Sequence, residues 1–81
     1  MNNTQTLPNL GARIKALRTL KGMTQHELAF QCNFEKASMS RIEAGRTNIT
    51  IRTLCKIAKA LETDLHVFFQ NEPIHALTAD Q

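Results

Sequence analysis

Lys36, Ala37, Ser38, Ser40 and Arg41 fall within one short stretch, and four of the five carry hydrogen-bond donors. Lysine and arginine can donate to O6 and N7 of guanine, and a serine hydroxyl can serve a base edge or a phosphate oxygen. Arg46, Thr47 and Asn48 follow with further donors suited to the nucleic-acid backbone. Upstream, Thr24-Gln25-His26-Glu27 has the spacing of a capping box, which opens a helix at Thr24. Gln25 then sits where a side-chain amide and free backbone N–H groups can meet a phosphate. Enzyme chemistry lacks parts. Ser38 and Ser40 have no histidine–carboxylate constellation, and no glycine loop is built to cradle a phosphate. His26, His66 and His75 show no metal-ligand spacing with one another or with Cys32 and Cys55. No catalytic residue, cofactor or metal is expected.

Charge is unevenly distributed. The net charge is +3, but residues 13–52 hold eight basic side chains against three acidic, while the chain beyond holds two against four. A basic first half suits a polyanion, and the mildly acidic end suits another surface. The chain of 81 residues allows one domain with a modest core, a size that often gains stability by pairing. No apolar run approaches the roughly 20 residues that span a bilayer. Residues 1–9 are polar and lack the apolar segment of a secretory signal, so a cytoplasmic protein is expected, with both cysteines as buried free thiols.

Five helices must position these groups. Leu10, Ile14, Leu17 and Leu20 recur at helical spacing and predict a first helix over 10–21, capped by Asn9 and stopped by Gly22. Arg13, Lys15, Arg18 and Lys21 fall largely off that stripe. The second helix runs from Thr24 to about Cys32, with Leu28 and Ala29 inward and Asn33 able to take the positive φ of a tight turn. The third runs over 36–44, with Met39 and Ile42 inward, Phe34 stapling its entry, Glu35 near its cap and Gly45 as its stop. A fourth is expected over 51–61, capped by Thr50, with Leu54, Ile57, Ala58 and Leu61 as its stripe. A short fifth follows over 64–69. The run Leu65, Val67, Phe68 and Phe69 is denser in apolar residues than one small core easily hides; at least one phenylalanine is expected in the core, and these four residues are the candidates for a dimer interface. The expected organisation is a flexible lead-in over 1–8, a domain over 9–69 and a tail over 70–81.

A short helix, a tight turn and another short helix in a basic all-helical domain form a helix-turn-helix, here at 24–44. In that unit the first helix braces on the sugar–phosphate backbone and the second enters the major groove. The motifs also resemble a known family. Gly22-Met-Thr-Gln-His-Glu-Leu-Ala29, Met39-Ser-Arg-Ile-Glu-Ala-Gly45 and the later Asn48–Leu61 and Leu65…Phe68-Phe69 segments are similar to the lambda Cro/repressor-type helix-turn-helix proteins. The likeness covers about 10–69. Compact size and the long 50–69 region look most like restriction–modification controller proteins, which bind as dimers. The resemblance implies an all-α, five-helix lambda-repressor-like fold, base reading at Lys36, Ala37 and Arg41, and phosphate contact at Gln25. It also implies a structural ion pair between Arg18 and Glu43, which would neutralise an acid on a helix meant to approach DNA. The chain departs from the family in carrying Asn33 where glycine is common and Phe34 where a small aliphatic is common. Glu35 is a further departure, since it would lie near phosphates unless it caps the helix or accepts from a cytosine amine.

Together these features predict a homodimeric transcription regulator on a pseudo-palindromic site in double-stranded DNA. Lys36, Ala37, Ser38 and Arg41 would read bases. Thr24, Gln25, Ser40, Arg46, Thr47 and Asn48 would hold the backbone. The same fold could instead be a protein-interaction module, an antitoxin or a transcription adaptor, with the C-terminal apolar run as its surface.

Overall fold

The computed structural model describes residues 3–70. Its helices are α1 (Asn3–Leu20), α2 (Gln25–Cys32), α3 (Lys36–Glu43) and α4 (Ile51–Ala60), followed by a 3-10 helix, η1 (Leu65–Phe69). No strand occurs among the described residues, and no helix there is long and apolar enough to cross a membrane. The fifth element is therefore a 3-10 turn rather than an α-helix, the geometry short terminal pieces often take. It is held from outside: the half-buried Arg13 donates its Nε–H to the Val67 carbonyl at 3.0 Å. The tail beyond Gln70 lies outside the described residues.

Each α-helix stops by the same device. A residue in left-handed conformation follows the helix, and two backbone N–H groups fold back onto carbonyls of the last turn. Gly22 (φ 73°), Asn33 (φ 62°), Gly45 (φ 72°) and Glu62 (φ 55°) are those residues. At the end of α3 the Gly45 N–H donates to Ile42 O at 3.1 Å and the Arg46 N–H to Arg41 O at 2.9 Å. Asn33 does the work expected of it: its N–H meets Phe30 O, and the next N–H, of Phe34, meets Ala29 O at 2.8 Å.

The start of α1 differs from expectation. The helix begins at Asn3, so Asn9 lies inside it rather than capping it, and the expected flexible lead-in is helical from Asn3 onward. Pro8 lies within α1, although proline has no N–H to give a helix. Its Cα packs against Gly45 at the end of α3, a contact between parts of the chain too distant for local pattern to show.

One core joins all the elements. Leu10, Ile14 and Leu17 meet Leu28, Ala29 and Cys32, then Met39 and Ile42, then Leu54, Ile57, Ala58 and Leu61, with Phe68 closing it. Met39 is fully buried, and burying such a side chain stabilises by roughly 1.5–3 kcal/mol. That packing keeps α3 helical, since eight residues would not hold a helix in water. Of the run counted toward a dimer interface, in which at least one phenylalanine is expected in the core, Phe68 is that core residue at only 2% exposed. It has no surface left to give a partner. Cys55, expected buried, is exposed, while Cys32 is buried as expected. In α4 the inward positions are Leu54, Ile57 and Ala58, which turns Cys55 outward.

Candidate nucleic-acid interface

The Thr24 side chain accepts from the Glu27 N–H at 3.0 Å, and the Glu27 carboxylate accepts from the Thr24 N–H at 2.7 Å. The capping box is complete. The Thr24 backbone N–H, followed by the Thr24 hydroxyl, holds the Glu27 carboxyl below its ordinary value of 4.5. Among the described residues no intrachain partner meets the Gln25 and His26 backbone N–H groups that start α2.

Behind this turn lies a buried polar knot. Glu43, 7% exposed, is the sole buried polar residue among those described. Arg18 donates to it twice, Nε to Oε2 at 2.7 Å and Nη2 to Oε1 at 3.1 Å, and its Nη1 donates to Met23 O at 2.8 Å. The paired fork geometry suits an arginine and a carboxylate. The ion pair implied by resemblance is thus present, and it takes the one acid of the last turn of α3 out of the field facing solvent. Gln25 joins it: Nε2 donates to Glu43 Oε1 at 3.0 Å. Sequence reasoning had Gln25 as a phosphate ligand alone. In the structure its amide also ties the start of α2 to the end of α3, leaving one side-chain N–H and the backbone N–H for an external oxygen.

The outward edge of α3 holds the expected readers. Lys36, Ala37, Ser40 and Arg41 are exposed and Ser38 is half-buried. Arg41 Nη2 lies 3.4 Å from Ser38 Oγ, one helical turn back, so the guanidinium leans along the helix. Glu35 sits at the N-cap with extended backbone and no side-chain cap bond. Its side chain is exposed to solvent. At the entry to α3, Phe34 packs half-buried on the core with the Lys56 Nζ 5.7 Å above its ring. Ser38, Arg41, Thr47 and Asn48 line a shallow groove with Phe34, Ile42 and Thr53, which brings the loop donors beside α3. Arg46 and Asn48 are exposed and Thr47 is half-buried. Thr24 and Ser40 also reach solvent. In the C-terminal apolar run, Phe69 is 57% exposed, while Leu65 and Val67 are half-buried against the core.

Phe30 of α2, Ile51 and Gly11 escaped sequence reasoning. Ile51, the first residue of α4, is 61% exposed, a large apolar side chain spent on no core contact. Gly11 is buried mid-helix where α1 crosses the end of α3. A glycine interrupting a helical pattern is the signal that could have marked it.

A capped short helix, a left-handed turn and a second helix with a donor-rich outer edge define a helix-turn-helix protein. The chain belongs to the helix-turn-helix (HTH_3) family of DNA-binding transcription regulators, whose pattern matches residues 14–68. Within it, the chain is similar to restriction–modification controller proteins. It is 36% identical over 61 residues to control protein C.BamHI of Bacillus amyloliquefaciens, covering 74% of this chain and 73% of that one. The crystal structure of controller protein C.AhdI from Aeromonas hydrophila superposes with a TM-score of 0.76 at 32% identity, over 78% of this chain and 96% of that one. Controller protein C.Esp1396I, solved as a tetramer on its natural 35-base-pair operator, matches with a TM-score of 0.72 at 41% identity, over 79% and 84% of the two chains.

Proposed function

We propose that this protein is a sequence-specific transcription regulator that binds a pseudo-palindromic operator as a homodimer, with α3 in the major groove. The carrying observation is the outer edge of α3. Lys36, Ala37 and Arg41 are exposed there with Ser38 half-buried, while Glu43 on the same helix is neutralised by Arg18. Lys36 and Arg41 donate to guanine, Ser38 orients Arg41 or meets a base, and the Ala37 methyl offers an apolar contact to thymine. The unpaired N–H groups at the start of α2, with Thr24 and the second amide hydrogen of Gln25, take one phosphate. Ser40 and the loop residues Arg46, Thr47 and Asn48 take others. Such contacts fix register, while the base contacts carry sequence. Phe69, backed by Leu65 and Val67, supplies the dimer face. Two-fold symmetry then sets the reading helices about 34 Å apart, one turn of DNA. A chemically similar controller protein on its operator supports this reading.

Selection of bound sequences from a random DNA pool tests it, with an inverted repeat as the expected product. Against the selected site, Arg41→Ala loses about 1–3 kcal/mol and relaxes preference at one position per half-site. Uniform weakening on every sequence makes Arg41 a phosphate ligand, and selection that returns no repeat refutes the operator reading. One observation favours a second, protein-binding role. Phe30 is 79% exposed on α2, in a groove with Met23, His26, Glu27 and Gln31 that shares none of the reading residues.

A further inference from the structure

We propose that Gly11 is a positioning residue for the reading helix: its missing side chain lets the backbone of α1 touch the end of α3, and this contact sets the tilt at which Lys36 and Arg41 are presented. The proposal rests on the DNA-reading role of α3. A Cβ at Gly11 would stand 2.5 Å from the Ile42 carbonyl oxygen, closer still to that of Glu43, and 2.8 Å from the Glu43 carbonyl carbon. All three are backbone atoms, so no rotamer change relieves the clash. Gly11 has no positive φ, and its requirement is for space alone. The facing glycine makes the same case from the other side, because a Cβ at Gly45 would stand 2.6 Å from Cα and N of Pro8. Two backbone-to-backbone approaches therefore pin the C-terminal end of α3 to α1.

A third anchor makes the contact a lever. Arg18 lies seven positions after Gly11 in α1, two turns on, and grips Glu43 through both carboxylate oxygens. Sliding α3 along α1 to make room at Gly11 would break that grip, so the accommodation open to α3 is to tilt. Restoring an ordinary contact of 3.4 Å from 2.5 Å at the Ile42 oxygen moves the end of α3 by about 0.9 Å, and the closer Glu43 oxygen asks for slightly more. Lys36 lies roughly 10 Å up the helix axis from Glu43, at 1.5 Å per residue. A tilt of that size shifts the reading side chains by several tenths of an ångström or more, beyond the narrow range in which a hydrogen bond keeps its length. Phosphate contacts through flexible side chains tolerate such a shift better than paired bonds to a base edge do.

The test is the ratio of affinity for the selected operator to affinity for random DNA of equal length, at fixed salt, by fluorescence anisotropy. Gly11→Ala is compared with Gly22→Ala. Gly22 has φ +73° and nothing within 4 Å of a built Cβ, so its substitution strains the backbone without touching α3. Gly11→Ala is expected to lower the ratio about tenfold, the equivalent of one base contact, with affinity for random DNA nearly unchanged. Gly22→Ala is expected to lower stability and leave the ratio within about twofold of wild type. If Gly11→Ala does not fold in buffer, the same ratios are read in trimethylamine N-oxide, which favours the compact state. An unchanged ratio in folded Gly11→Ala overturns the proposal, as does an equal fall in Gly22→Ala. A wild-type ratio of one refutes sequence reading itself, and the proposal with it.

Discussion

Removing Arg18 tests whether the knot that joins α1, α2 and α3 holds the helix-turn-helix together. Arg18→Met deletes the two bonds to Glu43 and the bond to Met23 O, and leaves the carboxylate with the Gln25 amide as its one remaining partner. The Glu43 side chain is 3% exposed and that of Arg18 12%, so water replaces little of what is lost. Stranding a buried charge in this way costs about 3–5 kcal/mol, and the partial exposure of Arg18 puts the expected loss near ~3. A chain of this length has about 4–12 kcal/mol of stability in total, so the variant sits close to unfolding. Glu43→Leu removes the other partner at a comparable cost, because it strands the guanidinium instead. The double variant strands neither charge, and its cost falls short of the sum of the singles by about 2–3 kcal/mol. Urea unfolding followed by circular dichroism measures all four proteins, with the midpoint moving at constant slope. Additive losses, or an Arg18→Met cost below about 1 kcal/mol, would show that the pair is a solvated contact and that something else fixes α3.

Other outcomes follow from the same geometry. Because the folded-state pKa of Glu27 is depressed by the Thr24 N–H, its contribution is present above the unfolded pKa and lost as pH falls through the folded one. Thermal melts should therefore show wild type ahead of Glu27→Gln at pH 7, with the lead vanishing on acidification through the carboxylate range. Cys55 is exposed, whereas burial raises the pKa of Cys32 despite the nearby Lys56. An alkylating reagent followed by mass spectrometry should modify Cys55 in the native protein and Cys32 only on unfolding; rapid double labelling would contradict the core assignment. Glu62 ends α4 with φ 55°, a conformation that costs a side-chain-bearing residue roughly 1–2 kcal/mol. Glu62→Gly should raise the unfolding free energy by up to about 1 kcal/mol, after the entropy glycine adds to the unfolded chain, and so move the urea midpoint upward.

Helix identity and boundaries were legible wherever chemistry is local. The Thr24 capping box, the Gly22, Asn33 and Gly45 stops, and the apolar stripes act over three or four residues, within reach of a pattern. The outward face of α3 followed in the main from Met39 and Ile42 facing in, which left Lys36, Ser38, Ser40 and Arg41 outside; Ser38 is in fact half-buried and Ala37, expected to pack or lie at the edge, is exposed. Legibility failed where a residue answers to a distant part of the chain. Asn9 looked like a cap because nothing local shows Pro8 packing on Gly45. Phe68 and Phe69 are adjacent and chemically alike, yet one is core and the other 57% exposed, a choice made by the path of η1 across α1 and α4.

For the helix-turn-helix, then, the sequence alone determined the parts: which residues cap, which turn, which face inward and which carry donors. The Arg18–Glu43 pair was implied by likeness of motif. Tertiary structure decided how those parts are aimed. It placed Gln25 on Glu43, turned Phe34 under Lys56, and brought Gly11 against the carbonyls of Ile42 and Glu43. The reason is physical: propensity and capping act between neighbours in the chain, whereas the tilt of an eight-residue helix is fixed by what packs against it from far away.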